Sequence, residues 1–184
     1  MRTQLTLLVT LCLAVAGCSA PVSSSPSRSV LPGASSTSSG QSSDPLHSLL
    51  LRDVRTGATF TLGELAAERA VLLETMAIWC TNCRGQQRQV VDAHALTDFE
   101  SVSLDVDPNE RAADLADYAD REGFDWHFAV ADGDLARMLR ERFGTAVLNP
   151  PSMPKILLRT DGSVELIGLG QQLGASELAA ILGG

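Results

Sequence analysis

The stretch LLETMAIWCTNCRGQQ, from Leu72 to Gln87, places two cysteines directly after an apolar run with the length of a buried strand. The residues that follow Cys80 recur at spacings near three, four and seven: Cys83, Val90, Val91, His94 and Ala95. This spacing predicts one helix that continues to about Leu96. A strand therefore delivers the C-x-x-C pair to the start of a helix.

This placement is suited to thiol chemistry. A helix N-terminus carries partial positive charge and unpaired N–H groups, and both stabilise a thiolate. Cys80 is predicted to be the attacking thiolate, and Cys83, one turn further along, the residue that resolves the mixed disulfide. The residues between them, Thr81 and Asn82, tolerate a helix start but do not reveal the reduction potential.

The N-terminus has the pattern of an export signal. Arg2 precedes an apolar run from Leu5 to Val15, and small residues then lead to Cys18. The run is shorter than the roughly 20 residues that a membrane-spanning helix needs. VAGC, which ends at Cys18, resembles a bacterial lipobox and implies cleavage after residue 17 and lipidation of Cys18. The alternative is an ordinary secretory signal in which Cys18 has no role.

Residues 18–44 follow as a serine- and proline-rich segment with few large apolar side chains, and we expect a disordered tether there. Residues 45–184 are expected to form one domain. The net charge of −8 and the scattered basic residues give no support to nucleic-acid binding. After cleavage and lipidation only Cys80 and Cys83 remain as free thiol partners.

The rest of the domain alternates strand-like and helix-like segments. Two short β-like runs flank Thr56-Gly57 and predict a hairpin. Strands are also expected near 101–107 and 126–131, with Asn109 capping the helix between them. A final antiparallel pair turns at Asp161-Gly162 before the last helix. This order predicts an α/β sandwich built on a mixed sheet.

Trp79-Cys80-Thr81-Asn82-Cys83, the strand before it and the later SMPKILLRTDGSVELIGLG resemble the thioredoxin superfamily. With the lipobox and the tether, the chain is similar to the membrane-tethered TlpA-like and redoxin-like thiol-disulfide oxidoreductases. The resemblance covers roughly residues 49–182. It implies a thioredoxin-like three-layer α/β/α sandwich with an N-terminal β-hairpin, and an exchange reaction that requires no cofactor.

The resemblance also implies roles for individual residues. Met153-Pro154 lies where the family has its cis-proline, so that the Met153 backbone and Trp79 would border the bound substrate. Glu74, six residues before Cys80, lies where many thioredoxins have a buried acid that exchanges a proton with the resolving cysteine. Strand alternation predicts that Glu74 is buried, and the alternative is that it faces solvent.

Two features depart from the family pattern. The C-x-x-C motif lacks the proline of the commonest form, so its reduction potential cannot be copied from that form. TAVLNPPSM, from Thr145 to Met153, is longer than the corresponding loop. This loop is expected to border the active site, where it either shapes partner selection or is a neutral surface insertion.

Other uses of the cysteine pair fit the sequence less well. A structural disulfide across so short a loop would constrain the unfolded chain little. A zinc site needs two more ligands, and the chain has only three histidines at unsuitable spacings. Sco-type copper chaperones share the fold but need C-x-x-x-C and a histidine absent from residues 149–154. Copper delivery is kept as the alternative function, whereas peroxidase chemistry lacks its threonine because Ala77 occupies that position.

The sequence thus predicts an extracytoplasmic, lipid-anchored protein-disulfide oxidoreductase, favouring a reductase. Its expected partners are protein dithiols or disulfides and an upstream redox protein, with cytochrome c maturation admissible by analogy. No metal site is predicted, and a monomer is expected. The direction of electron flow, the partner and the leaflet that carries the anchor stay open.

Overall fold

The computed structural model describes residues 44–184 of the chain. The predicted signal peptide, the lipidation site Cys18 and all but the last residue of the predicted tether lie outside the described residues. The strands are β1 (Leu50–Arg52), β2 (Thr59–Thr61), β3 (Val71–Met76), β4 (Glu100–Asp105), β5 (His127–Val130), β6 (Lys155–Leu158) and β7 (Val164–Gly168). The helices are α1 (Leu62–Ala66), α2 (Thr81–His94), α3 (Ala112–Glu122), α4 (Gly133–Phe143) and α5 (Ala175–Leu182).

The centre of the domain is a five-stranded sheet in the order β5-β4-β3-β6-β7. Strands β3, β4 and β5 are parallel, whereas β6 and β7 join antiparallel. Strands β1 and β2 form a separate antiparallel hairpin. The mixed sheet and the N-terminal hairpin agree with the expectation from the sequence.

Two apolar layers cover the sheet. On one face Leu72 and Met76 pack against residues of α2, α3 and α5. On the other face Val71 and Leu73 pack against residues of α1, α4 and the hairpin. Every residue of β3 is buried, which is why this strand reads as an almost continuous apolar run and not as an alternating one. The result is a three-layer α/β/α sandwich.

Local hydrogen bonds fix the ends of the elements. Thr61 and Glu64 form a reciprocal capping box at the start of α1. In the β1–β2 connection, burial favours a raised pKa for Asp53, but hydrogen bonds from Thr56 and Phe128 outweigh that effect and lower the pKa. Gly57 follows with φ of 72°, a conformation that glycine adopts without steric cost.

Two local expectations are wrong. Residues 44–184 contain no cis peptide bond, so the Met153–Pro154 bond is trans. Met153, which caps the 3₁₀ helix Pro150–Ser152, instead has the left-handed backbone conformation, with φ of 46°. Asn109 does not cap α3. It lies in the preceding turn, where its N–H groups bond Asp107, and the helix N-cap is Arg111.

No helix among residues 44–184 combines the length and the apolar character needed to cross a membrane.

Candidate active site

Cys80 and Cys83 form a disulfide at the N-terminus of α2, with Cα atoms 5.3 Å apart. Cys80 is the N-cap residue, and its Sγ accepts a hydrogen bond from the backbone N–H of Cys83 at 3.1 Å. Once the disulfide is reduced, this N–H and the positive end of the helix favour the thiolate at Cys80. The predicted division between an attacking and a resolving cysteine stays a prediction.

The environment of Cys83 is different. Its Sγ lies 3.1 Å from the carbonyl oxygen of Pro150. In the reduced protein a Cys83 thiol can donate to that oxygen, whereas a thiolate would face the negative end of the carbonyl dipole. Cys83 therefore has a reason to hold its proton until it attacks, and Cys80 does not.

The turn between β3 and α2 is held by an acidic segment that follows β4. The indole Nε1 of Trp79 donates to Asp107 at 2.7 Å, and the backbone N–H of Ile78 donates to Glu110 at 2.8 Å. Hydrogen bonds from Trp79 and then Asn109 lower the pKa of Asp107. Sequence reasoning treated this segment as a turn and helix cap, and it missed the contacts to the active-site turn.

Asp105 lies at the end of β4, opposite Met76 in the register, and is fully buried. Burial, and after it the charge of Glu110, raise the pKa of Asp105 to about 7, against a lowering hydrogen bond from the Asp107 N–H. Within residues 44–184 no three acidic, histidine or cysteine side chains are grouped in a way that could hold a metal ion.

Glu74 is buried, as its shared face with Leu72 and Met76 predicts. Desolvation raises the pKa of its carboxyl to about 7, and the positive charge of Lys155 opposes this rise. Its Oε1 has no hydrogen-bond partner among the described residues. A carboxyl of this kind can carry a proton near neutral pH, so its predicted role as the proton partner of Cys83 is chemically reasonable and stays a prediction.

A small cavity joins Glu74 to the resolving cysteine. Its lining includes Glu74, Cys83, Gln87, Met153 and Pro154. About 10 Å³ of the cavity is open to the centre of a water molecule, roughly the space that one water requires.

Lys155 is the residue that sequence reasoning missed most clearly. It is the cross-strand partner of Glu74 in the β3–β6 pair, and its side chain is fully buried. Its Nζ donates to the carbonyl oxygens of Met153 at 2.6 Å and Gln171 at 2.9 Å. Burial lowers the pKa of Lys155, and the charges of Glu74 and Glu177 oppose this. The available signal was the single lysine of the chain inside the apolar run PKILL.

The segment from Thr145 to Met153 folds over the disulfide as two 3₁₀ helices, Thr145–Leu148 and Pro150–Ser152. The Thr75 hydroxyl donates a 2.6 Å hydrogen bond to the Val147 carbonyl and so attaches this segment to β3. Beside the cysteines, Asn82 Nδ2 lies 3.4 Å from the Pro151 carbonyl. The prediction that this loop borders the active site is confirmed.

The two residues expected to meet the substrate differ in exposure. The sequence analysis expects Trp79 to border the bound substrate and Cys80 to attack it. Trp79 is 57% exposed, but Cys80 is only 2% exposed. The long loop, with its two adjacent prolines, lies beside the N-terminus of α2, where it contacts Cys83 and Asn82.

The other predicted substrate-side residues also meet at this place. Met153 and Pro154 line the same cavity as Glu74 and Cys83, and the backbone N–H of Thr75 donates to the Pro154 carbonyl at 3.3 Å. His94, in contrast, stacks on Phe99, and its Nε2 lies 2.9 Å from the Ser101 hydroxyl.

No protein-family model matches the chain, and no curated protein matches its sequence. Solved structures match its fold. A secreted Mycobacterium tuberculosis disulfide oxidoreductase homologous to E. coli DsbE is 14% identical, with a TM-score of 0.58, and the match covers 76% of this chain and 98% of that one. The thioredoxin domain of a thiol-disulfide oxidoreductase from Bacteroides vulgatus is 16% identical, with a TM-score of 0.56 and coverages of 73% and 90%.

StoA from Bacillus subtilis is a further match, 13% identical, with a TM-score of 0.54 over 72% of this chain and 93% of that one. These identities are too low to transfer an activity, but the shared topology extends over almost the full length of each neighbour. Together with the strand order and the C-x-x-C disulfide at the start of α2, they show that residues 44–184 have a thioredoxin-like fold.

Proposed function

We propose that this protein is a thiol-disulfide oxidoreductase that reduces disulfides in other proteins through Cys80 and Cys83. The observation that carries the proposal is the asymmetric surroundings of the two sulfurs. Cys80 Sγ accepts a backbone N–H at the helix start, while Cys83 shares a cavity with the buried carboxyl of Glu74. This is the arrangement that an attacking thiolate and a proton-exchanging resolving thiol require.

The reaction would begin from the reduced dithiol. The Cys80 thiolate attacks one sulfur of the partner disulfide, forming a mixed disulfide and releasing the other partner sulfur as a thiolate that takes up a proton. Ionised Glu74 then takes the proton of Cys83, which attacks Cys80 Sγ and releases the second partner sulfur as a thiolate. Two electrons pass from the dithiol to the partner, the second thiolate takes up a proton from solvent, Glu74 returns its proton to solvent, and the Cys80–Cys83 disulfide remains. A dithiol donor would reverse these steps to restore the dithiol.

The proposal extends to location. The export signal and VAGC motif support an extracytoplasmic protein held to the membrane by a lipid on Cys18. One fold neighbour is described as secreted. In that compartment disulfides persist unless a dedicated donor reduces them, so proteins that must keep their thiols reduced need a reductase there. Apocytochrome c is one admissible partner, and the protein is expected to act as a monomer.

The decisive experiment is covalent trapping in cells. A Cys83→Ser variant can form the mixed disulfide but cannot resolve it, so partner proteins should accumulate in adducts that disappear on reduction. Cys80→Ser should trap none, and a variant without both cysteines serves as the matched control. Equal trapping by the two single variants would contradict the assigned roles. The measured reduction potential of the Cys80–Cys83 pair then decides whether the protein reduces or oxidises its partners.

A separate test addresses the anchor. A Cys18→Ser variant should move from the membrane fraction to the soluble extracytoplasmic fraction while its disulfide exchange is unchanged. If the variant stays with membranes, a lipid on Cys18 is not what holds the protein there.

A further inference from the structure

The proposed exchange has a steric requirement that the oxidised structure does not meet. Cys80 is 2% exposed in the oxidised protein. The segment from Thr145 to Met153, which we call the cover, lies against the disulfide, with the Pro150 carbonyl oxygen 3.1 Å from Cys83 Sγ. A partner sulfur must approach Cys80 Sγ directly to exchange with it. The chain around the disulfide must therefore move during each encounter, and the cover is a part of it that touches the disulfide.

The C-terminal end of the cover is held from below by one buried ammonium group. Lys155 Nζ donates to the carbonyl oxygens of Met153 and Gln171. The backbone N–H of Gly170 donates to the carbonyl of Ser152. The cover is thus tied to the loop after β7, and Lys155 is the charged group in this tie.

The surrounding chain is shaped to admit this side chain. Gly168 is the register partner of Lys155 on β7, and a Cβ at Gly168 would lie only 2.5 Å from Lys155 Cε. A buried ammonium is costly unless its donors are satisfied. Here two of its three donors reach carbonyls of the cover and of the loop that meets it. The absence of a side chain at Gly168 makes room for Lys155, and the two carbonyls stabilise its buried ammonium group.

The backbone conformation of Met153 also depends on contacts that hold the end of the cover in place. It holds a left-handed backbone conformation with φ of 46°, which is costly for a residue that has a side chain and persists only where the surroundings enforce it. The hydrogen bond from Lys155 to its carbonyl is part of that enforcement. Without it, the end of the cover is expected to relax toward an ordinary backbone conformation.

Lys155 also faces the proton carrier. Glu74 is its partner across β3 and β6, although no ion pair within 4.0 Å joins the two groups. The other titratable groups around this pair are Glu177 on α5, Tyr118 on α3 and, further along β4, Asp105. When Glu74 is ionised, its negative charge attracts the Lys155 ammonium group, which otherwise interacts with the carbonyls of Met153 and Gln171.

We propose that Lys155 is a positioning residue that latches the cover beside Cys80 and transmits the charge on Glu74 to it. This inference rests on the proposed exchange at Cys80. It assigns a role to the long loop before Pro154, namely that it closes the site between encounters, and it links opening of the site to the proton that Cys83 gives up.

The latch is tested by the access of a small reagent to Cys80. In a Cys83→Ser background, the rate of alkylation by iodoacetamide is read at Cys80 by peptide mass spectrometry. Adding Lys155→Met should raise the rate about tenfold, the effect expected from losing one charge-assisted hydrogen bond. Arg137→Met, which removes an exposed cation on α4, is the matched control and should leave the rate unchanged. An unchanged rate in a folded Lys155→Met protein would overturn the latch.

The link to Glu74 is tested without substitution of Lys155, so a misfolded variant cannot obscure it. In the oxidised full-length protein, where the two cysteines do not titrate, the methyl NMR signal of Met153 should move with pH around neutrality. Glu74→Gln should abolish this movement and Asp105→Asn should preserve it. A Met153 titration that survives Glu74→Gln would refute the link. Both measurements are independent of partner trapping, so failure of the proposed function would be seen separately.

Discussion

Replacing Glu74 by glutamine should change how the stability of the protein depends on pH. Burial raises the folded-state pKa of this carboxyl above its usual 4.5, to about 7. Between these values the unfolded chain loses the proton while the folded protein retains it. The unfolded state therefore binds fewer protons, and the free energy of unfolding must fall as the pH rises through this window.

The magnitude follows from the same two values. A rise in pKa from 4.5 to about 7 corresponds to roughly 3 kcal/mol of unfolding free energy lost across the window. Glu74 is only 5% exposed, so solvent screening reduces this effect little. Asp105 has a pKa raised in the same direction and adds to the wild-type slope. Glu74→Gln should remove the first contribution and leave the second.

The assay is denaturant unfolding of the oxidised protein at about pH 5 and about pH 8, with the disulfide intact in both samples. Relative to wild type, Glu74→Gln should gain roughly 3 kcal/mol at the higher pH compared with the lower one. Glu68→Gln removes an exposed carboxylate on the surface and is the matched control. If Glu74→Gln and wild type show the same pH dependence, Glu74 is not a proton-holding buried acid and its role in the exchange is lost.

Three further substitutions test the structural argument by thermal or denaturant unfolding. Gly168→Ala should cost about 1–3 kcal/mol because its Cβ would overlap Lys155, whereas Gly133→Ala, with open space around its Cα, should cost far less. Asp53→Ala should cost about 2–3 kcal/mol at neutral pH, and its effect should shrink as the pH falls below the usual 3.8, since the lowered pKa stabilises only the ionised form. Thr61→Ala should cost about 1 kcal/mol by opening the capping box of α1. The Gly168 argument is contradicted if both glycine variants lose the same free energy of unfolding. The Asp53 argument is contradicted if the loss grows as the pH falls, and the Thr61 argument if Thr61→Ala is as stable as wild type.

Most of the architecture was predictable because its signals are local. The apolar run before Cys80, the helical spacing after it and the Asp-Gly turn each depend on a few neighbouring residues. The burial of Glu74 was predicted from alternation, but every residue of β3 is buried, because this strand lies inside the sheet with both faces covered. The failures were also local: Asn109 is chemically able to cap a helix, but its side chain is used by the turn that holds Asp107.

By itself the sequence determined the order of strands and helices and the position of the two cysteines at the start of α2, and the division of their roles stays a prediction. Only the tertiary structure decided what surrounds them. Lys155 meets Glu74 because β6 returns antiparallel beside β3, and residues 145–153 lie against the disulfide, where the Val147 carbonyl accepts from Thr75 and the Pro150 carbonyl reaches Cys83 Sγ. Such contacts join residues about seventy or eighty positions apart, and no local pattern records them, because backbone pairing and buried hydrogen bonds are formed only when the chain is packed.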